Sequence, residues 1–352
     1  MLYVLLKNKL SSHKSTILFY VVISLCFLYI SFNSYKNDTV QRINLQKNDP
    51  TITAMIEPYT YSLINENNTS ITSVYYRHAI SRRNSSYPFI SGDTFRAFAD
   101  YIFDETRQDN LESVKYGDIV FVKADMLKKF FLYSYSAIKN PFILISHNSD
   151  ASAPLEYENK LRDKQIIVWY ASNPSIRNHS KLFPIPIGLA NTRWPTGNLN
   201  KLKYAFENYR KPWSNRTTLL YVNFDITTNK KERQAALSQA KKFQNVQIIQ
   251  KRISFETYLE QIGNTKFVLS PSGGGLDCHR TWEALMMGAA PVVLSSGLDP
   301  LFNNTSTIII RKWSDLTENF LLSYNFSSYD KVTYSVLFAR YWRERLLKHR
   351  HR

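Results

Sequence analysis

From residue 94 onward the apolar positions fall into two alternating rhythms. "TFRAFADYIFDET" (94–106) spaces them by three and four, as a helix does, whereas "YGDIVFVK" (116–123) is a short unbroken apolar run, as in a strand buried on both faces. The alternation continues: "DMLKKFFLYSYSAIK" (125–139) predicts a helix, "PFILISHNSD" (141–150) a strand ending in polar residues, "PLEYENKLRD" (154–163) a helix and "QIIVWYAS" (165–172) a strand. The proline-punctuated "LFPIPIGLANTRW" (182–194) closes this half. The pattern then restarts, with strands in "TTLLYVNFD" (217–225), "VQIIQ" (246–250), "KFVLSP" (266–271), "APVVLS" (290–295) and "STIIIRK" (306–312). Between them stand the helical patterns "NKKERQAALSQAKKF" (229–243), "SFETYLEQIGNT" (254–265) and "DCHRTWEALMMG" (277–288). "SDLTENFLL" (314–322) and the stretch from 329 onward read as further helices.

Strand–helix alternation of this kind predicts parallel strands with crossover helices. Two such series, interrupted at 197–212, predict an α/β chain of two Rossmann-like domains, 87–200 and 213–330, facing across a cleft, then a C-terminal helix with a basic tail (331–352). Ligands of open parallel sheets sit beyond the carboxyl ends of the strands.

The N-terminus follows another rule. "STILFYVVISLCFLYISF" (15–32) is an uncharged apolar run near the minimum length for a membrane-spanning helix, preceded by Lys7, Lys9 and Lys14. Positive residues before the span keep the N-terminus in the cytosol, so 1–14 reads as a cytosolic tail and 15–33 as a transmembrane signal anchor. The polar stretch 34–86 becomes a luminal stem carrying the head. N-x-S/T acceptors at Asn37, Asn67, Asn68, Asn84, Asn178, Asn215, Asn303, Asn304 and Asn325 fit a secretory lumen, and the expected location is the Golgi membrane, in type II orientation.

Charge adds a direction. Lys and Arg number 45 against 28 Asp and Glu, a formal net charge of +17, which favours anionic substrates or acidic surfaces. Nucleic acid is disfavoured, because the basic residues are scattered outside the tail "RYWRERLLKHRHR" (340–352) and no zinc-finger or RNP pattern is present. Two cysteines, one in the anchor and one at Cys278, build neither a zinc cluster nor a disulfide framework.

The candidate chemistry lies in "FVLSPSGGGLDCHRTWEALMMGAAPVVL" (267–294). Ser272, Gly273, Gly274 and Gly275 let the backbone approach a ligand closely, Asp277 is placed to cap the following helix, and that helix N-terminus and Arg280 both offer positive charge. These features suit a diphosphate. Glu283, three residues beyond Arg280, shares its helix face and can accept hydrogen bonds from ribose hydroxyls. His279 is placed to touch phosphate or sugar. The spacing matches neither a P-loop nor the dinucleotide fingerprint.

The segment "SPSGGGLDCHRTWEALMMGAAPVVL" resembles the donor-binding motif of exostosin-type glycosyltransferases, more closely the branch containing the ribitol xylosyltransferase. The resemblance implies a GT-B fold, a Golgi type II membrane enzyme and a nucleotide-sugar donor. It also implies that Arg280 meets the diphosphate, Glu283 the ribose, and 272–275 form the phosphate loop. The chain has no Asp-x-Asp clamp, and Gly275 stands eight residues before Glu283, where many retaining GT-B enzymes keep a glutamate. The expectation is therefore an inverting, metal-independent transfer from a UDP-sugar to a glycan or glycoprotein acceptor, with no cofactor. Inversion requires a general base, and the strand ends of the first half offer Asp150, His147 and Asp93. The alternative is a non-catalytic carbohydrate-binding or scaffold protein that retains the fold.

Overall fold

The computed structural model describes residues 75–79, 83–330 and 332–350; the expected cytosolic tail, the membrane anchor and most of the stem lie outside the described residues. Five strands, β1 (Tyr101–Phe103), β2 (Ile119–Lys123), β3 (Phe142–His147), β4 (Ile166–Ala171) and β5 (Leu182–Pro184), form a parallel sheet in chain order. A second parallel sheet comprises β6 (Thr218–Val222), β7 (Val246–Ile248), β8 (Thr265–Leu269), β9 (Ala290–Leu294) and β10 (Ile308–Ile310), in the order β10-β9-β8-β6-β7. The α/β character with two parallel sheets thus agrees with the sequence pattern.

Both sheets are covered on both faces, which explains the unbroken apolar runs. In the first, Ile119, Phe121, Ile143 and Ile145 face one core while Val120, Val122, Phe142 and Leu144 face another. In the second, Tyr221, Val268 and Val293 face the core shared with the first half, and Leu220, Val222, Phe267 and Val292 the outer one. Burying each such side chain contributes about 1.5–3 kcal/mol.

The helices are α1 (Gly92–Phe98), α2 (Leu199–Asn208), α3 (Lys230–Ala240), α4 (Phe255–Gly263), α5 (His279–Met286), α6 (Glu318–Leu322) and α7 (Ala339–Leu347), joined by shorter helical turns. Polar side chains start most of them: Ser91, Asn198, Asn229, Ser254 and Thr317 each accept from a backbone amide three residues on.

Several predicted elements come out differently. The helix expected over 94–106 ends at Phe98, and β1 follows; Ile102 enters the inner core and Phe103 the outer one, an alternation only a strand provides. The helix over 125–139 breaks into short turns around a π-helical turn, Phe130–Ser134, where Phe131 stacks on Tyr157 at 4.6 Å. The 154–163 helix is a 3-10 segment, Leu155–Arg162. The expected break at 197–212 contains α2, with Leu202 and Ala205 buried.

The ends also depart from expectation. Tyr75, assigned to the stem, is buried and stacks on Tyr87 at 4.4 Å. The basic C-terminal helix packs on the first half: Trp342 and Leu346 of α7 are buried, Trp342 meets Phe95 of α1 at 5.7 Å between ring centres, and Arg350 pairs with Asp100 and Asp118. The chain therefore returns from the second half to close the core of the first.

Candidate functional site

In the second sheet the order reverses at β6, which lies between β7 and β8 although it precedes both in sequence. Crossovers leave such a strand in opposite directions, opening a crevice at its carboxyl end. Asn223 and Phe224 follow β6, Ser270 follows β8, and Arg280 from α5 reaches between them. Its Nε donates to the Asn223 carbonyl at 2.9 Å and its Nη1 to Ser270 Oγ at 3.4 Å, with the guanidinium 5.3 Å from the centre of the Phe224 ring.

A second arginine joins it. Arg233, on α3, is 5.6 Å from the same ring. Its Nε donates to the Ser272 carbonyl at 2.8 Å and its Nη1 to the Asp225 carbonyl at 2.6 Å. Burial and the nearby Arg280 charge lower its pKa. Neither guanidinium forms an ion pair among the described residues, because the neighbouring carboxylates are turned elsewhere. Asp225 caps Thr227, and Glu232 accepts from the amide and hydroxyl of Ser272. Two partly desolvated positive groups with no ion-paired carboxylate among the described residues are able to hold an anion.

Glu283 lies one turn along α5, buried, with Oε2 accepting from Tyr258 OH at 2.8 Å. Burial raises its pKa, and His279, Tyr258 and Arg280 oppose that rise. Arg280 and Glu283 form no ion pair, so their shared face is not a surface charge pair.

The glycine loop meets the first half directly. A Cβ on Gly274 would stand 2.3 Å from Asp150 Oδ2, and one on Gly275 3.0 Å from Asn173 Nδ2, so a side chain at 274 would run into the Asp150 carboxylate and one at 275 would crowd the Asn173 amide, in the loops after β3 and β4. Asn173 Oδ1 accepts from the amides of Leu276 (2.9 Å) and Asp277 (3.2 Å). Ser272 also differs from expectation, since its amide and hydroxyl are engaged by Glu232. The loop is thus an inter-sheet contact as well as a wall of the candidate anion site.

Asp277 does not cap α5 as the sequence suggests. The helix begins at His279 with Cys278 at the cap position and no side-chain cap. The Asp277 carboxylate instead gathers three donors, from Cys278 N (2.7 Å), Trp282 Nε1 (2.8 Å) and, across the two halves, Ile187 N (2.7 Å). Burial pushes its pKa up to about 7, against the pull of these donors. His279 donates from Nδ1 to the Gly188 carbonyl at 2.8 Å, which leaves Nε2 as an acceptor. The Cys278 thiol contacts the Pro271 carbonyl, and burial raises its pKa.

The three candidate bases separate. Asp150 is exposed beside Gly274. Asp93 is buried, paired with Arg83 at 2.9 Å and bonded by Asn148 Nδ2 at 2.9 Å; it anchors the turn after β3 and is removed from solvent. His147 is buried with both nitrogens engaged, Nδ1 accepting from Asn148 N at 2.6 Å and Nε2 donating to the Pro186 carbonyl at 3.0 Å. It has no lone pair left for a substrate. Trp194, at the end of the first half, is 54% exposed under Arg193.

Burial lowers the pKa of His147 to about 4. An unfolded histidine takes its proton near pH 6.5, so between these values only the unfolded chain is protonated. Stability present above pH 6.5 is therefore lost as pH falls, by roughly 2 kcal/mol at pH 5. Denaturant unfolding of His147→Gln should lose about that much less than the parent between pH 7 and pH 5; equal slopes would contradict the assignment. Asp277 affects both proteins alike and cancels in the comparison.

Arg233, Phe224, Tyr258 and Asn173 were not singled out from sequence. Arg233 had one signal: with Ala236 and Ala240 it lies on the buried stripe of α3, an arginine where an apolar residue belongs. Among the described residues no cluster of three His, Cys, Asp or Glu side chains is placed to hold a metal ion. In comparisons with known proteins, no family model and no curated sequence matches the chain.

Proposed function

We propose that this protein is an exostosin-like, inverting glycosyltransferase of GT-B type that transfers a monosaccharide from a UDP-sugar to a glycan or glycoprotein acceptor. The reading rests on the motif's resemblance, and one structural observation carries it: Arg233 and Arg280, unpaired, flank Phe224 at the strand crossover point. Such a pair suits a diphosphate leaving group. Glu283 then accepts from ribose hydroxyls, and His279 Nε2 faces the donor.

Asp150 takes the proton of the acceptor hydroxyl while its oxygen bonds the anomeric carbon. The bond from that carbon to the diphosphate breaks, and the departing negative charge is met by the two guanidinium groups, so no metal is assigned a step. The six described glycosylation acceptors, Asn84, Asn178, Asn215, Asn303, Asn304 and Asn325, are all exposed, as acceptors on a luminal head must be.

The test is a nucleotide-sugar panel. The detergent-solubilised full chain should be stabilised by UDP-sugars and should transfer sugar to an acceptor, since a ligand raises stability only by binding the folded state. Asp150→Asn should keep donor binding and lose about 10²-fold or more in kcat. No stabilisation by UDP-, GDP- or CMP-sugars would favour the scaffold alternative; full activity in Asp150→Asn would move the base to His279.

A further inference from the structure

The first and last described segments of the chain meet at one place. Tyr75 stacks on Tyr87, and Arg77 pairs with Asp100 at 2.7 Å, at the amino end of β1. From the other terminus, Arg350 pairs with the same Asp100 and with Asp118, and its Nε donates to the Gly117 carbonyl at 3.2 Å, just before β2. The neighbouring strand starts continue this surface. Gly117 N donates to the Pro141 carbonyl at 2.9 Å, before β3, and Phe142 N to the Gln165 carbonyl at 2.8 Å, before β4. The loops at the other ends of β3 and β4 meet the glycine loop, so the amino-end surface is turned away from the candidate site.

This surface is basic. Asp100 and Asp118 are matched by Arg77 and Arg350, whereas Lys115, Lys139, Lys164 and Lys348 are exposed and join no ion pair among the described residues. Against these four lysines stands the exposed Glu112. Tyr76 and Tyr116 add large exposed rings, 41% and 50% accessible. No N-x-S/T acceptor falls in 99–101, 112–118, 138–142 or 162–166, whereas Asn215 stands just before β6, at the corresponding end of the second sheet.

We propose that this amino-end surface of the first half lies on the acidic lipid headgroups of the membrane that holds the chain, so that the candidate site opens away from the bilayer; the inference rests on reading 15–32 as an anchor. Residues 33–74 connect that run to Tyr75. They span at most about 140 Å of fully extended chain, so their length alone leaves the orientation of the head open. Its own surface decides. The connection arrives beside Asp100, which brings this end of the head toward the membrane first. Lysines there meet lipid phosphates, each strengthening attachment to an acidic surface by about fivefold, and tyrosines suit the boundary between headgroups and acyl chains. A glycan would hold the surface off, and this end carries no acceptor.

Lysine acylation of the full chain in lipid nanodiscs, read residue by residue by mass spectrometry at low extent, tests this. With phosphatidylserine in phosphatidylcholine nanodiscs, Lys115, Lys139, Lys164 and Lys348 should react about threefold or more slowly than in nonionic detergent. Lys231 and Lys251, exposed on the site side of the second half, should keep their rates. The slowing should shrink on phosphatidylcholine alone, and in about 0.5 M salt, which cuts the screening length to a few ångströms. Lys115→Gln combined with Lys139→Gln should return Lys164 and Lys348 roughly halfway to their detergent rates, with the melting temperature of the parent. Equal rates for the two sets of lysines, slowing at Lys231 and Lys251 instead, or slowing that ignores lipid charge and salt overturns the inference alone. A chain that is not retained in nanodiscs overturns the anchor reading, and this inference with it.

Discussion

Arg280→Ala should lower sugar transfer by about 10²–10³-fold while leaving the melting temperature close to the parent's. The activity loss follows from the location of the charge: a positive group that meets charge developing on a leaving phosphate contributes about 3–4 kcal/mol to the transition state. The small stability effect follows from its partners. Arg280 is half-buried, bonds one backbone carbonyl at 2.9 Å and one hydroxyl at a long 3.4 Å, and lies near the like charge of Arg233, so its removal also relieves repulsion. Arg280→Lys should restore little, since a single ammonium cannot span Asn223, Ser270 and a phosphate together. Arg233→Ala provides the contrast. It holds the Ser272 and Asp225 carbonyls from a buried position, so both stability and activity should fall. Steady-state kinetics with thermal melts on the three variants check this; full kcat/KM in Arg280→Ala removes the diphosphate role.

Much of this arrangement was legible in the chain, and the failures have physical causes. The central strands were visible because burial on both faces writes an uninterrupted run, as in "FILIS" and "FVL". β1 was lost because Phe95, Phe98, Ile102 and Phe103 satisfy a helical spacing as well as a helix-then-strand division. α2 was lost because a proline and a glycine precede it, and its polar face outweighs Leu202 and Ala205. In the site, Arg280 and Glu283 stood out because local spacing puts them on one helix face. Arg233 and Asn173 approach from elements some 40 to 100 residues away, and no local rhythm encodes that meeting. His147 and Asp93 looked like bases because they sit at the correct strand end or helix start. Their burial depends on how the turn after β3 folds back, with Asn148 in a left-handed conformation (φ 61°) bonded to Asp93 and Asn191.

Asp277→Ala should cost about 3–5 kcal/mol, among the largest effects available to a single substitution here. The carboxylate satisfies one buried and two part-buried donors at once, and an orphaned buried donor costs about 1–3 kcal/mol. Two of them, Cys278 N and Trp282 Nε1, fix the start of α5; the third, Ile187 N, belongs to the first half, two residues before Leu189 in the shared core. Losing the side chain thus loosens α5 and its contact with the opposite sheet together, and should lower both the melting temperature and transfer even though Asp277 touches no reacting atom. Asp277→Asn should recover only part, because its amide nitrogen would oppose N–H donors on one side. The comparison belongs at pH 8, where the parent's carboxyl is ionised in both the folded and unfolded chain. A variant that melts with the parent would mean that Asn173, holding the same loop from β4, suffices to join the two sheets.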